Sequence, residues 1–217
     1  MESAAEDGRD NVGDQPSRQT IQAETAGHLR TLYTIGAGIS GAVAMDRIVT
    51  YGDDFIQPEL VATAVIMLVA FVATIVPFFH GAMRHMHSAW DKVLPSPGLM
   101  MYDFVFLFSQ TLIFVLIASL SQSPLWFTLA LALLLAVDVA WLTARRAWGE
   151  LGDTGWIWAR VNVPFIVLLL GTAHLLRDGT VSELGAAFVI AALAVIRTIV
   201  DYYFSREFYF GTESAAA

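Results

Sequence analysis

Three of the five histidines in the chain, His80, His85 and His87, lie close together where a long apolar run ends. If a helix continues through this segment, His80, Arg84, His87 and Asp91 fall at positions i, i+4, i+7 and i+11 and share one face. Arg84 offers a bidentate fork for a carboxylate or phosphate, and histidines gain positive charge as the pH falls through about 6.5. The stripe therefore predicts a site for an anionic ligand or an anionic lipid.

Other interpretations of this stripe are open. His87 and Asp91 are spaced like two metal ligands, but zinc or iron requires a third ligand and Arg84 repels a cation, so no metal site is predicted. The stripe could instead be a basic anchor that contacts lipid headgroups in general. No cofactor is predicted, because a haem iron bound by His80 and His174 would need two residues from opposite ends of the predicted helices.

A second group of residues that could carry out chemistry consists of charged side chains inside apolar segments. Its members are Asp103, Asp138, Arg160, Arg197 and Asp201. A charge in hydrocarbon costs about 2.5 to 3.5 kcal/mol, so these side chains are expected to face one another inside a bundle. A rise of about 1.5 Å per residue places all five in one layer near the same membrane boundary. The layer predicts an ion or proton path or the wall of a polar cavity, or else structural pairs that hold the helices in register.

Six apolar segments must position these side chains. The chain is 56% hydrophobic and 15% charged, and its mean hydropathy is +0.60, values outside the range of ordinary soluble domains. Blocks of about 20 apolar residues match the length that crosses about 30 Å of hydrocarbon. The predicted spans are residues 32–50, 60–80, 101–120, 125–144, 156–176 and 184–204. We therefore predict an all-α integral membrane protein, a bundle of six transmembrane helices.

The distribution of lysine and arginine predicts the orientation, because cytoplasmic loops retain positive charge. With six spans, one side receives Arg9, Arg18, Arg30, Arg84, Lys92, Arg145, Arg146 and Arg206. The other side receives Arg177, with Arg47 at its membrane edge. Both termini are therefore predicted to lie in the cytoplasm, with the bundle in the cell inner membrane.

The termini and the composition set further bounds. Residues 1–28 are polar, acidic and poor in large apolar residues, which predicts a disordered tail before a transmembrane domain at residues 29–208. Residues 209–217 are predicted to form a short C-terminal tail. A net charge of −8 provides no basic surface for nucleic acid, and the absence of cysteine excludes disulfides and thiolate chemistry. The predicted partners are the lipid bilayer and further copies of the chain, as a homo-oligomer.

The first predicted span differs from the others. It carries small residues at every fourth position, Gly36, Ser40 and Ala44, a face on which another helix can approach closely. Within it, Gly38-Ile39-Ser40-Gly41 resembles the serine motif of the rhomboid intramembrane proteases, a six-helix family, and the resemblance implies His174 as the partner base. Helix geometry places Ser40 and His174 about 10 Å apart in depth, which opposes a catalytic dyad.

Three function classes follow from these observations. The first is a small channel or transporter for an ion or proton that uses the layer of aspartates and arginines. The second is a membrane sensor or interaction protein that binds an anionic ligand or partner at the stripe from His80 to Asp91. An intramembrane enzyme ranks last, because no catalytic motif lies in the structural context that its chemistry requires.

Overall fold

The computed structural model describes residues 18–53, 58–90, 96–148 and 153–211, and all the regular secondary structure in these ranges is helical. The helices are α1 (Arg18–Asp53), α2 (Pro58–Trp90), α3 (Pro97–Ser119), α4 (Pro124–Ala147), α5 (Asp153–Arg177), α6 (Glu183–Phe204) and α7 (Arg206–Phe210). Five of them, α2 to α6, are long and apolar enough to cross a membrane. The predicted all-helical class is confirmed for this part of the chain, and the five apolar helices agree with the predicted membrane protein.

The first predicted span, residues 32–50, lies within α1, which is not among the five candidate membrane helices. Glycine, serine and threonine dilute its apolar residues, and Asp46 and Arg47 interrupt its second half. Its small-residue face nevertheless packs as predicted. A Cβ atom at Gly36 would lie 2.8 Å from the Cβ atom of Thr111, so a larger residue would push α3 away.

Both predicted tails are shorter than expected within the described residues. The helix α1 begins at Arg18 and buries Ala26 and Leu29, so residues 18–28 are helical and not disordered. At the other end, α7 includes Tyr209, whose side chain is buried. In both places a few apolar contacts offset the chain entropy, which composition alone does not reveal. Residues 1–17 and 212–217 lie outside the described ranges.

The bundle is built from neighbouring helix pairs. The helix α1 packs against α3 and α2, α2 packs against α6, and α4 packs against α5. Phe114, Phe127 and Leu134 are among the fully buried side chains that fill the space between these helices. Ser96 begins α3 by accepting a hydrogen bond from the Leu99 amide, and Ser182 caps α6 in the same way.

The second helix continues through Pro77 to Trp90, well beyond the predicted end at residue 80. Proline lacks an amide hydrogen, so the carbonyl of Ala73, one turn earlier, loses its helical donor. The hydroxyl of Thr198 on α6 donates to this carbonyl at 2.5 Å. A neighbouring helix thus satisfies the group that Pro77 releases, and α2 can project its polar residues beyond the apolar run.

This contact predicts a coupling between two positions. Thr198→Val removes the only donated proton of the side chain at nearly constant volume and should lower the free energy of unfolding by about 1 kcal/mol. In a Pro77→Ala background the restored amide can bond the carbonyl of Ala73, so the same change should cost clearly less. Unfolding of the four proteins of this cycle in detergent measures the coupling.

Thr143→Val is the matched control, because the Thr143 hydroxyl donates to Val139 within its own exposed helix face. Its expected cost is below about 0.5 kcal/mol. Equal costs of Thr198→Val in the unmodified protein and in the Pro77→Ala background would show that the hydroxyl does not replace the missing amide.

Candidate functional site

Asp103 on α3 is completely buried between α2 and α4. The indole nitrogen of Trp141 donates a hydrogen bond to its Oδ1 atom at 2.9 Å. The other oxygen, Oδ2, lies 3.5 Å from His85 Nε2 and 3.6 Å from Arg145 Nη2. These four residues, termed the Asp103 cluster, place a carboxylate, an imidazole and a guanidinium within ion-pair distance inside the bundle.

His85 is the most versatile member of this cluster. Its Nε2 atom lies 3.4 Å from Arg145 Nη2 as well as 3.5 Å from the Asp103 carboxylate. An Nε2 atom without a proton accepts from Arg145, whereas an Nε2 atom with a proton donates to Asp103. Trp141 packs edge-on against the imidazole, with 5.1 Å between ring centres, and holds the ring in place. Gain or loss of one proton at Nε2 therefore changes whether His85 bonds to Asp103 or to Arg145.

A second group of polar residues runs across α4, α5 and α6. Asn162 donates from Nδ2 to Asp138 Oδ2 at 2.7 Å and accepts at Oδ1 from Arg197 Nε at 3.0 Å. Arg197 Nη2 then lies 3.8 Å from Asp201 Oδ2, one helical turn along α6. The guanidinium also covers the ring of Phe78 on α2 at 4.5 Å. This Asp138 chain, comprising Asp138, Asn162, Arg197 and Asp201, joins two carboxylates through an amide and a guanidinium.

A cavity of about 50 Å³ lies between the Asp103 cluster and the Asp138 chain. His85 and Trp141 form part of its wall on one side, and Asp138, Arg197 and Asp201 contribute on the other. Gln110 also lines it and accepts a hydrogen bond from the Tyr33 hydroxyl at 2.7 Å. A cavity of this size with several polar side chains in a largely apolar wall has room for a few water molecules. We term it the central cavity.

The end of the chain closes part of this cavity. Residues 205–211, termed the C-terminal segment, return from α6 toward α2, and the buried Tyr209 side chain lines the cavity. Its hydroxyl donates to Asp201 Oδ2 at 3.0 Å and lies 3.4 Å from the Pro77 carbonyl. Burial, together with the neighbouring Asp201 carboxylate, raises the pKa of Tyr209, so the phenol keeps its proton and remains a donor.

The predicted histidine stripe contacts the same segment. His80 Nδ1 lies 3.1 Å from the Tyr202 hydroxyl, and the imidazole packs against Tyr209 with ring centres 4.9 Å apart. Arg84 donates from Nε to the carbonyl of Phe208 at 3.1 Å. The structure thus brings His80 and Arg84 together, with the protein's own C-terminal segment in front of them. His87 is exposed, and Asp91 lies outside the described residues.

Three of the five residues of the predicted charge layer line the central cavity. Asp138, Arg197 and Asp201 share one chain. Asp103 does not line the cavity but contacts His85 and Trp141, which do. Arg160 is separate, because its side chain is exposed and lies over the ring of Trp156 at 5.7 Å. Whether the assembled residues act on an ion or proton stays a prediction.

The sequence-based choice of residues misses His85, Trp141 and Arg145. Residue counting places Arg145 in a connecting loop because it follows an apolar block, yet α4 continues through it. Asp138, Trp141 and Arg145 occur at i, i+3 and i+7, which places them on one helical face and is the signal that could identify them. His85 lies one turn and a residue after His80, so α2 directs it to a different neighbour.

The rhomboid-like motif does not form a dyad. Ser40 is buried and its hydroxyl donates to the Ala37 carbonyl at 2.7 Å within α1. His174 is largely exposed and pairs with Asp178 at 3.4 Å on its own helix end. Among the described residues, no group of three or more His, Asp or Glu side chains is arranged to hold a metal ion.

No protein-family model matches the chain, and no curated protein or solved structure matches it either.

The burial of the Asp103 cluster predicts a large penalty for removing one member. Arg145→Gln leaves the Asp103 carboxylate without its guanidinium and should lower the free energy of unfolding by about 3 kcal/mol. The double variant Arg145→Gln with Asp103→Asn should recover part of this loss, because the uncompensated negative charge is gone. Unfolding in detergent measures both.

Arg146→Gln provides the control at the adjacent, exposed position, with an expected change below about 0.5 kcal/mol. A double variant no more stable than Arg145→Gln alone would contradict the pairing of the two charges.

Proposed function

We propose that the protein is a small membrane transport protein that passes protons, or a small ion, through the central cavity. The observation that carries this proposal is that His85, Asp138, Arg197 and Asp201, from three different helices, meet at one cavity within the bundle. Charges within membrane helices are costly and typically mark ion paths or proton relays. The small volume of the cavity favours protons over larger solutes.

Asp138 is the proposed proton-binding group. Of the three buried or partly buried carboxylates in the described part of the chain, Asp103 faces the guanidinium of Arg145 and Asp201 lies 3.8 Å from that of Arg197. Asp138 accepts its hydrogen bond from the neutral amide of Asn162. The charged groups that surround it are Arg197 and Asp201 on α6, and His85 lines the same cavity from α2. A carboxylate held by an amide can take up a proton without separating an ion pair.

His85 is the proposed second proton-binding group of the path. Its Nε2 atom can accept from Arg145 or donate to Asp103, so protonation changes its partner without moving a helix. Water in the central cavity would join His85 to Asp138, since both side chains line that space. In this scheme Asp103 and Arg145 position His85, and Asn162 and Arg197 position Asp138.

The C-terminal segment is the proposed gate of this path. Tyr209 both lines the central cavity and bonds to Asp201, while Arg84 holds the backbone at Phe208. Two hydrogen bonds and a group of aromatic contacts are a small barrier to displacement, compared with a complete transmembrane helix. Movement of this segment would open the cavity at the α2–α6 end.

A sensor is the second candidate function, and one contact favours it. Arg84 donates to a backbone carbonyl of the C-terminal segment, so an anionic ligand that binds Arg84 more strongly would release that segment. Anion binding at the stripe from His80 to Asp91 would then change the exposed C-terminal surface. Binding of an anionic ligand that is unaffected by Arg84→Ala would eliminate this candidate.

The proposal retains three sequence-based predictions. With α1 proposed as a sixth crossing, both termini face the cytoplasm of a cell with the bundle in its inner membrane, because most lysines and arginines then lie on the retained side. A homo-oligomer is supported by Gly38 and Gly41 on α1, whose hydrogens face open space and leave room for a second helix.

Proton flux into liposomes tests the main proposal. Asp138→Asn keeps the size and the hydrogen-bond acceptor but cannot bind a proton at neutral pH, so it should reduce flux to the level of protein-free liposomes. Asp138→Asn combined with Asp201→Asn should give the same result. A pH-sensitive dye inside the vesicles reports protons, and parallel sodium and potassium gradients identify an ion substrate.

Asp178→Asn is the control, because this exposed carboxylate pairs with His174 at the end of α5. It should leave the flux unchanged. Flux in the Asp138 and Asp201 variants equal to that of the unmodified protein would sink the transport proposal.

Accessibility of a single cysteine tests the gate. The chain contains no cysteine, so Ala82→Cys in the cavity wall is the sole thiol. A hydrophilic thiol reagent should label it slowly in the closed bundle and faster after Tyr209→Ala, which removes the ring and hydroxyl that close the cavity. Tyr203→Ala alters an exposed aromatic residue nearby on α6 and should not change the rate. Identical labelling rates in all three backgrounds would show that the segment does not gate access.

A further inference from the structure

Arg146 and Arg160 converge on one exposed indole ring. The guanidinium carbon of Arg146, in the last turn of α4, lies 4.9 Å from the centre of the Trp156 ring. The guanidinium carbon of Arg160, one turn further along α5, lies 5.7 Å from the same centre. All three side chains are exposed on the bundle surface. The indole attracts both cations, so two like charges are held around one ring.

These two cations lack an anionic partner among the residues that the structure describes, since neither forms an ion pair or hydrogen bond with them. Two guanidiniums held around one ring repel each other, and an anion bound beside the ring reduces this repulsion. Each guanidinium presents a planar fork that binds phosphate oxygens in pairs. The site is therefore complementary to a phosphate group.

The position of Arg146 and Arg160 on the bundle indicates which kind of phosphate group lies near them. Trp156 is the first residue of the candidate membrane span Trp156–Arg177, and Arg146 is next to last in the span Pro124–Ala147. Both lie at a membrane boundary, where tryptophan rings and lipid phosphates are found. A second exposed indole, Trp148, lies at the same edge and packs against Tyr102.

The surface of α5 continues the site into the apolar region. Val163, Val167 and Leu170 follow Arg160 at i+3, i+7 and i+10, so they lie on the same helical face, and all three are exposed. This arrangement places an apolar strip directly beyond a cationic end. The cationic end matches the phosphate of a glycerophospholipid, and the apolar strip matches its acyl chains.

We propose that Arg146, Trp156 and Arg160 form a binding site for the phosphate of an anionic phospholipid, with an acyl chain along Val163, Val167 and Leu170. A zwitterionic lipid fits less well, because its ammonium group would approach two guanidiniums. The site is on the outer surface of α4 and α5, and the inference does not rest on the proposed transport function.

Lipid retention measured by native mass spectrometry tests this site. The detergent-purified protein is mixed with phosphatidylglycerol or phosphatidylcholine of identical acyl chains. Phosphatidylglycerol should be retained in preference, and Arg146→Gln or Arg160→Gln should each weaken its retention about fivefold, with about 25-fold for the double variant. Arg177→Gln, an exposed arginine at the other end of α5, should leave retention unchanged.

Two comparisons make the outcome decisive. Glycerol 3-phosphate, which has the phosphate without the acyl chains, should not displace phosphatidylglycerol, and its effective competition would assign the site to a soluble phosphate compound instead of a lipid. Equal retention of the two lipids, or phosphatidylglycerol retention unchanged in the double variant, would overturn the proposal. All substituted side chains are exposed, so thermal unfolding of the variants should match that of the unmodified protein.

Discussion

Arg197 is the charge on which the polar interior of the bundle depends. A guanidinium does not lose its proton inside a protein, so its burial requires compensating partners. Asn162 accepts from its Nε atom, Asp201 lies beside one terminal nitrogen, and Phe78 covers its flat face. One side chain thereby connects α5, α6 and α2. Without it, the carboxylates of Asp138 and Asp201 would face the central cavity without the cation that lies between them.

The packing of α2 against α6 connects these buried charges to the C-terminal segment. Pro77 releases a carbonyl on α2, Thr198 satisfies it from α6, and the continued helix then carries His80 and Arg84 to the C-terminal segment. Tyr209 returns to Asp201 and closes the arrangement. The central cavity, its proposed gate and the predicted histidine stripe are therefore parts of one structural unit.

Arg160 and Arg197 show how far the sequence predicts the site. Both occur in apolar segments and are predicted to lie in one charge layer, yet Arg197 is buried and Arg160 is exposed beside Trp156. Depth along a helix follows from residue counting, but the direction of a side chain around the bundle depends on which neighbours each helix meets. Arg145 is the opposite case, a residue predicted to lie in a loop that is buried in the structure. The helix α4 is about one turn longer than predicted, which makes Arg145 a buried partner of Asp103.

The sequence by itself predicted the all-helical class and the five apolar helices α2 to α6, because apolar blocks of this length have few stable alternatives in a bilayer. It also predicted the small-residue face on α1 that approaches α3 at Gly36. Only the tertiary structure decided which charges meet, that His85 joins Asp103, and that the C-terminal segment occupies the space before His80 and Arg84. These contacts join residues far apart in the chain, and helix packing, which local patterns do not specify, brings them together.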